Sequence, residues 1–190
     1  MSSFQDDIVR CLTKLREGGV ILYPTDTIWG IGCDARNPKA LDRISTIKQR
    51  DHSKSFIILV ERAADALYYT DGSDPFLLPY LESLTEPTTV IYHASTKVSG
   101  PILRPDGTVA IRVPQDPFCQ QLLSTFQGPL VSTSANLSGE AYPRVFADID
   151  DKIKLSVDYT VRFRQDDIHA RKPSALVRWL GEGRVEVIRS

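Results

Sequence analysis

The stretch VILYPTDTIWGIGCDARNPKALDRISTIKQR, Val20 to Arg50, sets the architecture of the chain. Its apolar run Val20–Tyr23 reads as a buried strand that breaks at Pro24, which has no amide hydrogen to give a sheet. Thr25 and Thr27 follow at the strand's carboxyl end, the edge at which open α/β sheets bind ligands. The same pair also suits an ordinary turn. Gly30-x-Gly32 marks a bend, because alone it falls short of a dinucleotide fingerprint. Asn37-Pro38 supplies a cap and a first-turn proline for a helix that turns Leu41, Ile44 and Ile47 inward. That helix closes on Lys48 and Arg50, with Lys54 just beyond. Cations at a helix end complement its dipole, which is one account of them. Three within seven residues also suit a polyphosphate, arginine through paired contacts and lysine as a point charge.

Working outward, residues 3–17 carry Phe4, Ile8, Cys11, Leu12 and Leu15 on one helical face, with Ser3 as cap and Gly18-Gly19 as terminator. Phe56–Val60 is a second buried strand. Residues 61–86 are helical but interrupted: Pro75 suits a first turn after Asp74, and Pro79 kinks or restarts the helix. Strands over Thr88–Tyr92 and Thr108–Val113 flank a loop that closes on the turn RPDG. Asp116-Pro117 opens a helix with Phe118, Leu122, Leu123 and Phe126 inward and Gly128 past its end. Leu130–Thr133 is a strand that runs into Ser134 and Asn136 of the loop SANLSG. These small polar groups offer donors and acceptors but no strong base, and they also fit a plain turn. A short helix over 145–155 and strands near 157–163, 174–180 and 184–189 complete the pattern, the last two joined through GEG. The expectation is an α/β (α+β) fold, a single domain over residues 1–190 with a twisted mixed sheet flanked by helices, its closing strands paired by hairpins.

Composition narrows the chemistry. The 190 residues have a formal net charge of −1, so any anion site must be a local concentration of cations. The three cysteines are odd in number and widely spaced, which speaks against a disulfide framework or a zinc knuckle and for a reducing compartment. Cys33 reads as a packed core thiol. The histidines lack metal-ligand spacing, so no protein-held metal is expected. No P-loop, nucleotide-binding glycine fingerprint or nucleophile elbow occurs. Asp6 and Asp7 interrupt the N-terminus as a signal peptide, and the apolar run FIILV is too short to span a bilayer. A cytoplasmic protein without membrane contact is expected.

YPTDTIWGIGCDA, KQR with Lys54 four residues on, TVAIRVP, PLVSTSANLSG, KPSALVR and EVIRS occur in an order that resembles the YrdC-like family of threonylcarbamoyl-AMP synthases. The likeness covers nearly the whole chain and fits the short form, without an extra C-terminal domain. It implies a twisted sheet with a deep cationic concave face. The implied activity joins L-threonine, bicarbonate and ATP into threonylcarbamoyl-adenylate, with pyrophosphate released and Mg²⁺ carried on the ATP phosphates. The product then serves threonylcarbamoyl modification of tRNA through partner proteins. The resemblance assigns Lys48, Arg50, Ser134 and Asn136 to a tetrad around the ATP phosphates. Lys54, Thr108 and Arg189 match nucleotide-side positions, and Arg144 brings a cation to that side where the family has a hydroxyl. Thr25, Thr27, Arg112, Ser134 and Ser174 match the threonine pocket. Asp51, where the family has proline, and Asp116 are further departures. Other readings are a double-stranded RNA or tRNA-binding module of the same fold without synthase activity, or a relative acting on another carbamoyl adenylate. Few exposed aromatics interleave with the cations, which counts against base stacking on RNA.

Overall fold

The structure, a computed structural model, describes residues 4–50, 56–71 and 74–190. Helix α1 (Gln5–Arg16) precedes β1 (Ile21–Tyr23) and β2 (Gly30–Asp34), and α2 (Pro38–Ile47) leads to β3 (Ile57–Leu59). Helices α3 (Ala63–Ala66) and α4 (Leu77–Ser83) follow, then β4 (Thr88–His93), β5 (Thr108–Arg112), α5 (Pro117–Phe126) and β6 (Leu130–Ser134). The chain closes with α6 (Asp151–Ser156), β7 (Tyr159–Thr160), β8 (Ala175–Gly181) and β9 (Arg184–Arg189). Among the described residues the nine strands join one mixed sheet in the order β7-β1-β2-β6-β3-β5-β4-β8-β9.

Several local signals act as the sequence implies. Asn37 accepts the Ala40 amide at 3.2 Å, and Asp116 accepts that of Cys119 at 3.0 Å, each just before a proline that fixes the first turn. Gly18, at φ +80°, lets the chain leave α1. Ser3 lies outside the described residues, and Phe4 takes the position before α1. Pro79 sits in the first turn of α4, where its missing amide hydrogen has no intrahelical role, so the helix passes through it without interruption. Gln127 rather than Gly128 adopts the left-handed conformation after α5. The expected helix over 145–155 is a short 3₁₀ turn, Phe146–Asp148, followed by α6.

The larger departure is β2. Gly30-x-Gly32 is a strand between β1 and β6, antiparallel to both, and not a bend. Glycine is required there because a Cβ on Gly32 would lie 2.5 Å from the Val131 carbonyl oxygen and 2.9 Å from the Tyr23 ring. Tyr23 and Ile31 are fully buried in the same core. Of the closing strands, only β8 and β9 form a hairpin; β7 runs parallel to β1 at the far edge. Asp7 of α1 fastens the segment after β7 by accepting the amides of Arg162 and Phe163 at 3.1 and 3.0 Å. No described helix is long and apolar enough to cross a membrane.

Candidate functional site

Strand alternation brings one set of side chains to one face of the sheet. Ser132 pairs with Ile57, and two residues along, Leu59 pairs with Arg112 and Arg112 with Thr89, so these side chains of β6, β3, β5 and β4 share one face. These strands floor a cavity of about 240 Å³ that Thr25, Thr27, Arg50, Arg112, Ser134, Asn136, Ser174 and Arg189 also line. It therefore spreads over the sheet face, with the segment after β1 that carries the two threonines as one wall. Three guanidinium groups and a single carboxylate, Glu140, stand among its described lining residues. The local charge is positive although the chain's net charge is near zero.

The wall at Thr25 and Thr27 is a directed hydrogen-bond chain. Arg112, 7% exposed at the end of β5, donates from Nη1 to Thr27 Oγ1 at 2.8 Å and from Nη2 to Asp26. Thr25 donates its hydroxyl proton to the Ile28 carbonyl at 2.8 Å, so the 2.9 Å contact between the two threonine hydroxyls takes its proton from Thr27. Thr25 also accepts the Thr27 amide at 3.0 Å, which fills its hydrogen-bonding capacity. Thr25 supports the wall, and Thr27 keeps one lone pair.

On the opposite wall, Arg50 donates to Thr133 Oγ1 at 3.1 Å and lies over the Phe56 ring, 4.7 Å from its centroid. Burial lowers the Arg50 pKa, a cost that a bound anion would relieve. Lys48 is 3% exposed and does not line the cavity. Its ammonium donates to the backbone carbonyls of Ser134 and, at 2.6 Å, Asn136, while its own carbonyl accepts the Ser138 amide at 2.8 Å. Asn136 donates to the carbonyls of Leu137 and Glu140 at 3.0 and 2.8 Å. At the far end, Ser174 shares a 2.8 Å hydroxyl contact with Thr89, and its carbonyl accepts from Arg189 Nη2 at 2.9 Å.

Besides Lys48, two expected site residues among those described do not line this cavity. Thr108 is at the opposite end of β5 from Arg112, its hydroxyl donated to Asp106 at 2.5 Å. Arg144 lines a narrow cleft beside the cavity with Arg164 and Arg171, sharing the Thr25, Thr27 and Trp29 wall. Lys54 and Asp51 lie outside the described residues. The sequence reading missed Asp26 behind Arg112, the aromatic surfaces of Trp29 and Phe56, and Glu140 at the rim. The alternation of β5 was the available signal for Asp26, since it puts a buried arginine on a strand that needs a counter-charge. Among the described residues no cluster of three or more histidine, cysteine, aspartate or glutamate side chains could hold a metal ion.

Comparison with known proteins gives consistent likenesses. The family model Sua5_yciO_yrdC, described as "Telomere recombination", matches residues 13–190. A protein of Coxiella burnetii (strain RSA 331 / Henzerling II) named threonylcarbamoyl-AMP synthase is 38% identical over 136 residues, covering 71% of this chain and 72% of that protein. One of Vibrio vulnificus (strain YJ016) with the same name is 31% identical over 181 residues, covering 90% and 97%. The crystal structure of E. coli YciO superposes with a TM-score of 0.83 at 26% identity, covering 98% of this chain and 89% of that one.

Proposed function

The chain belongs to the Sua5/YciO/YrdC family, and from that premise we propose that it is a threonylcarbamoyl-AMP synthase, an enzyme of the nucleotidyltransferase type. The observation that carries the reading is the single cavity joining a cationic, hydroxyl-rich wall at Arg50 and Ser134 to a second wall at Arg112, Thr27 and Ser174. The first suits a triphosphate, the second an amino acid.

In this reaction the neutral α-amine of threonine adds to carbon dioxide with loss of a proton, or to bicarbonate with loss of water, to give a carbamate. A carbamate oxygen then attacks the α-phosphorus of ATP, and the bond to the bridging oxygen breaks to release pyrophosphate. A peptide α-amine titrates near pH 7.7–8.0, and that of a free amino acid, beside its own carboxylate, higher; neighbouring guanidinium groups lower it and favour the neutral form without a dedicated base. What remains is positioning and charge neutralisation. Arg50 faces the departing phosphates, Asn136 and Ser134 set the nucleotide against the amino acid, and Lys48 acts mainly by holding their loop. Arg189 closes the end beyond Ser174. Arg144 adds a cation outside the cavity, and Thr108 lies at the far end of β5 from Arg112. Mg²⁺ would arrive on the ATP phosphates, and among the described lining residues Glu140 is the one carboxylate beside them. The product would supply threonylcarbamoyl modification of tRNA through partner proteins. Incubating the protein with ATP, L-threonine and isotopically labelled bicarbonate tests the reading. Label recovered in an adduct containing both threonine and AMP supports it, and absence of such an adduct refutes it.

A further inference from the structure

Asp26 is part of the wall without being part of the cavity. Its Oδ1 accepts from Arg112 Nη2, and its Oδ2 accepts the Gln115 amide at 3.3 Å. The two side chains are largely buried, Arg112 at 8% and Asp26 at 16% exposure. Arg112 lines the cavity and Asp26 does not. Gln115 also donates from its side chain to the Leu84 carbonyl at 2.8 Å, so the carboxylate is tied to the loops after β5 and α4.

The consequence runs down the hydrogen-bond chain. With Nη2 on Asp26, the guanidinium plane is fixed and Nη1 points at Thr27. Because arginine has only donors, Thr27 must accept there and give its own proton to Thr25, which passes its proton to the Ile28 carbonyl. Thr27 then has no proton for a ligand, only a lone pair. At Thr27, therefore, the wall accepts a hydrogen bond and cannot give one.

We propose that Asp26 is a positioning residue for the amino-acid half of the site. By locking Arg112 it orients the threonine hydroxyls, so that Thr27 accepts an N–H of the substrate's amine while the remaining N–H groups of Arg112 face its carboxylate. The proposal rests on the synthase reading and assigns the amino-acid half a polarity. An amine held as a donor to Thr27 keeps its own lone pair free for attack on bicarbonate or carbon dioxide.

The test compares wild type, Asp26→Asn and Asp26→Glu in steady-state assays of pyrophosphate release, with threonine and ATP varied separately. Loss of one charge-assisted bond predicts a KM for threonine raised about tenfold or more in Asp26→Asn, with the KM for ATP within about twofold. Asp26→Glu, which keeps the charge, should recover most of that loss. Equal rises in both KM values, or a threonine KM unchanged in a folded Asp26→Asn protein, would overturn the proposal. Should Asp26→Asn fail to fold, Asp26→Ser carries the same test: a threonine-selective rise in KM supports the proposal, and an unselective change or none overturns it. A wild type without threonine-dependent turnover would defeat the synthase reading alone. The crystal structure of a folded Asp26 variant would then decide the positioning claim, since Arg112 leaving Thr27 supports it and Arg112 remaining there overturns it.

Discussion

The ammonium of Lys48 donates to the backbone carbonyl of Asn136 at 2.6 Å, so a side chain on the far end of α2 shapes the loop after β6. It also bonds the Ser134 carbonyl, and both loop residues line the cavity. Lys48→Met should leave two buried acceptors poorly satisfied and cost about 2–4 kcal/mol of stability. A lysine that only touched ligand would show no such cost. Urea unfolding of the two proteins without ligand distinguishes these outcomes.

Arg50 stands on the cavity wall against Thr133 and Phe56. Arg50→Ala should lower kcat/KM by roughly 2–4 kcal/mol, through loss of a charge-assisted contact in a partly dry site. Arg50→Lys should recover only part of this, because a point charge does not reproduce a planar fork. Steady-state kinetics of both variants, set beside their melting temperatures, check the claim.

Ser134 ends β6 and Asn136 lies just beyond it, and in this account the two share one ligand network. Single substitutions to alanine should each weaken ATP binding, and the pair should depart from additivity by about 0.5–3 kcal/mol. Calorimetric titration of ATP into single and double variants measures the coupling. Additive losses would place the two residues in independent roles.

The cysteines are buried, and burial raises their thiol pKa values, that of Cys33 to about 12. A thiol whose pKa lies so far above the solution pH is almost wholly protonated, and its thiolate is the reactive form. At pH 8 the folded protein should therefore resist alkylation by iodoacetamide at Cys11, Cys33 and Cys119, and all three should react once it is unfolded in urea. Mass spectrometry of the alkylated protein gives the count directly.

Much of this fold is legible from local chemistry. The caps at Asn37 and Asp116 and the left-handed exit at Gly18 each follow from what one residue type can do. Strand β2 was not legible, because two glycines within three residues weaken every local signal for a strand. What makes them strand residues is the Tyr23 ring packed against Gly32, a contact between neighbouring strands. The parallel pairing of β7 with β1 is likewise set by non-local partners, the amides after β7 that Asp7 accepts. In the site, residue identities could be read but not their division of labour. Lys48 and Thr25 look like ligand contacts in the sequence, and only the directions of their hydrogen bonds show them supporting the walls. Thr108 and Arg112, matched to the nucleotide side and to the threonine pocket, stand four positions apart on β5 at about 3.3 Å each, and only Arg112 lines the cavity.

The most direct test of the central claim is pyrophosphate release by the purified protein with Mg²⁺-ATP, L-threonine and bicarbonate, each omitted in turn. The account predicts release in the complete mixture and its loss when either threonine or bicarbonate is withheld. Release at the same rate without threonine would contradict it.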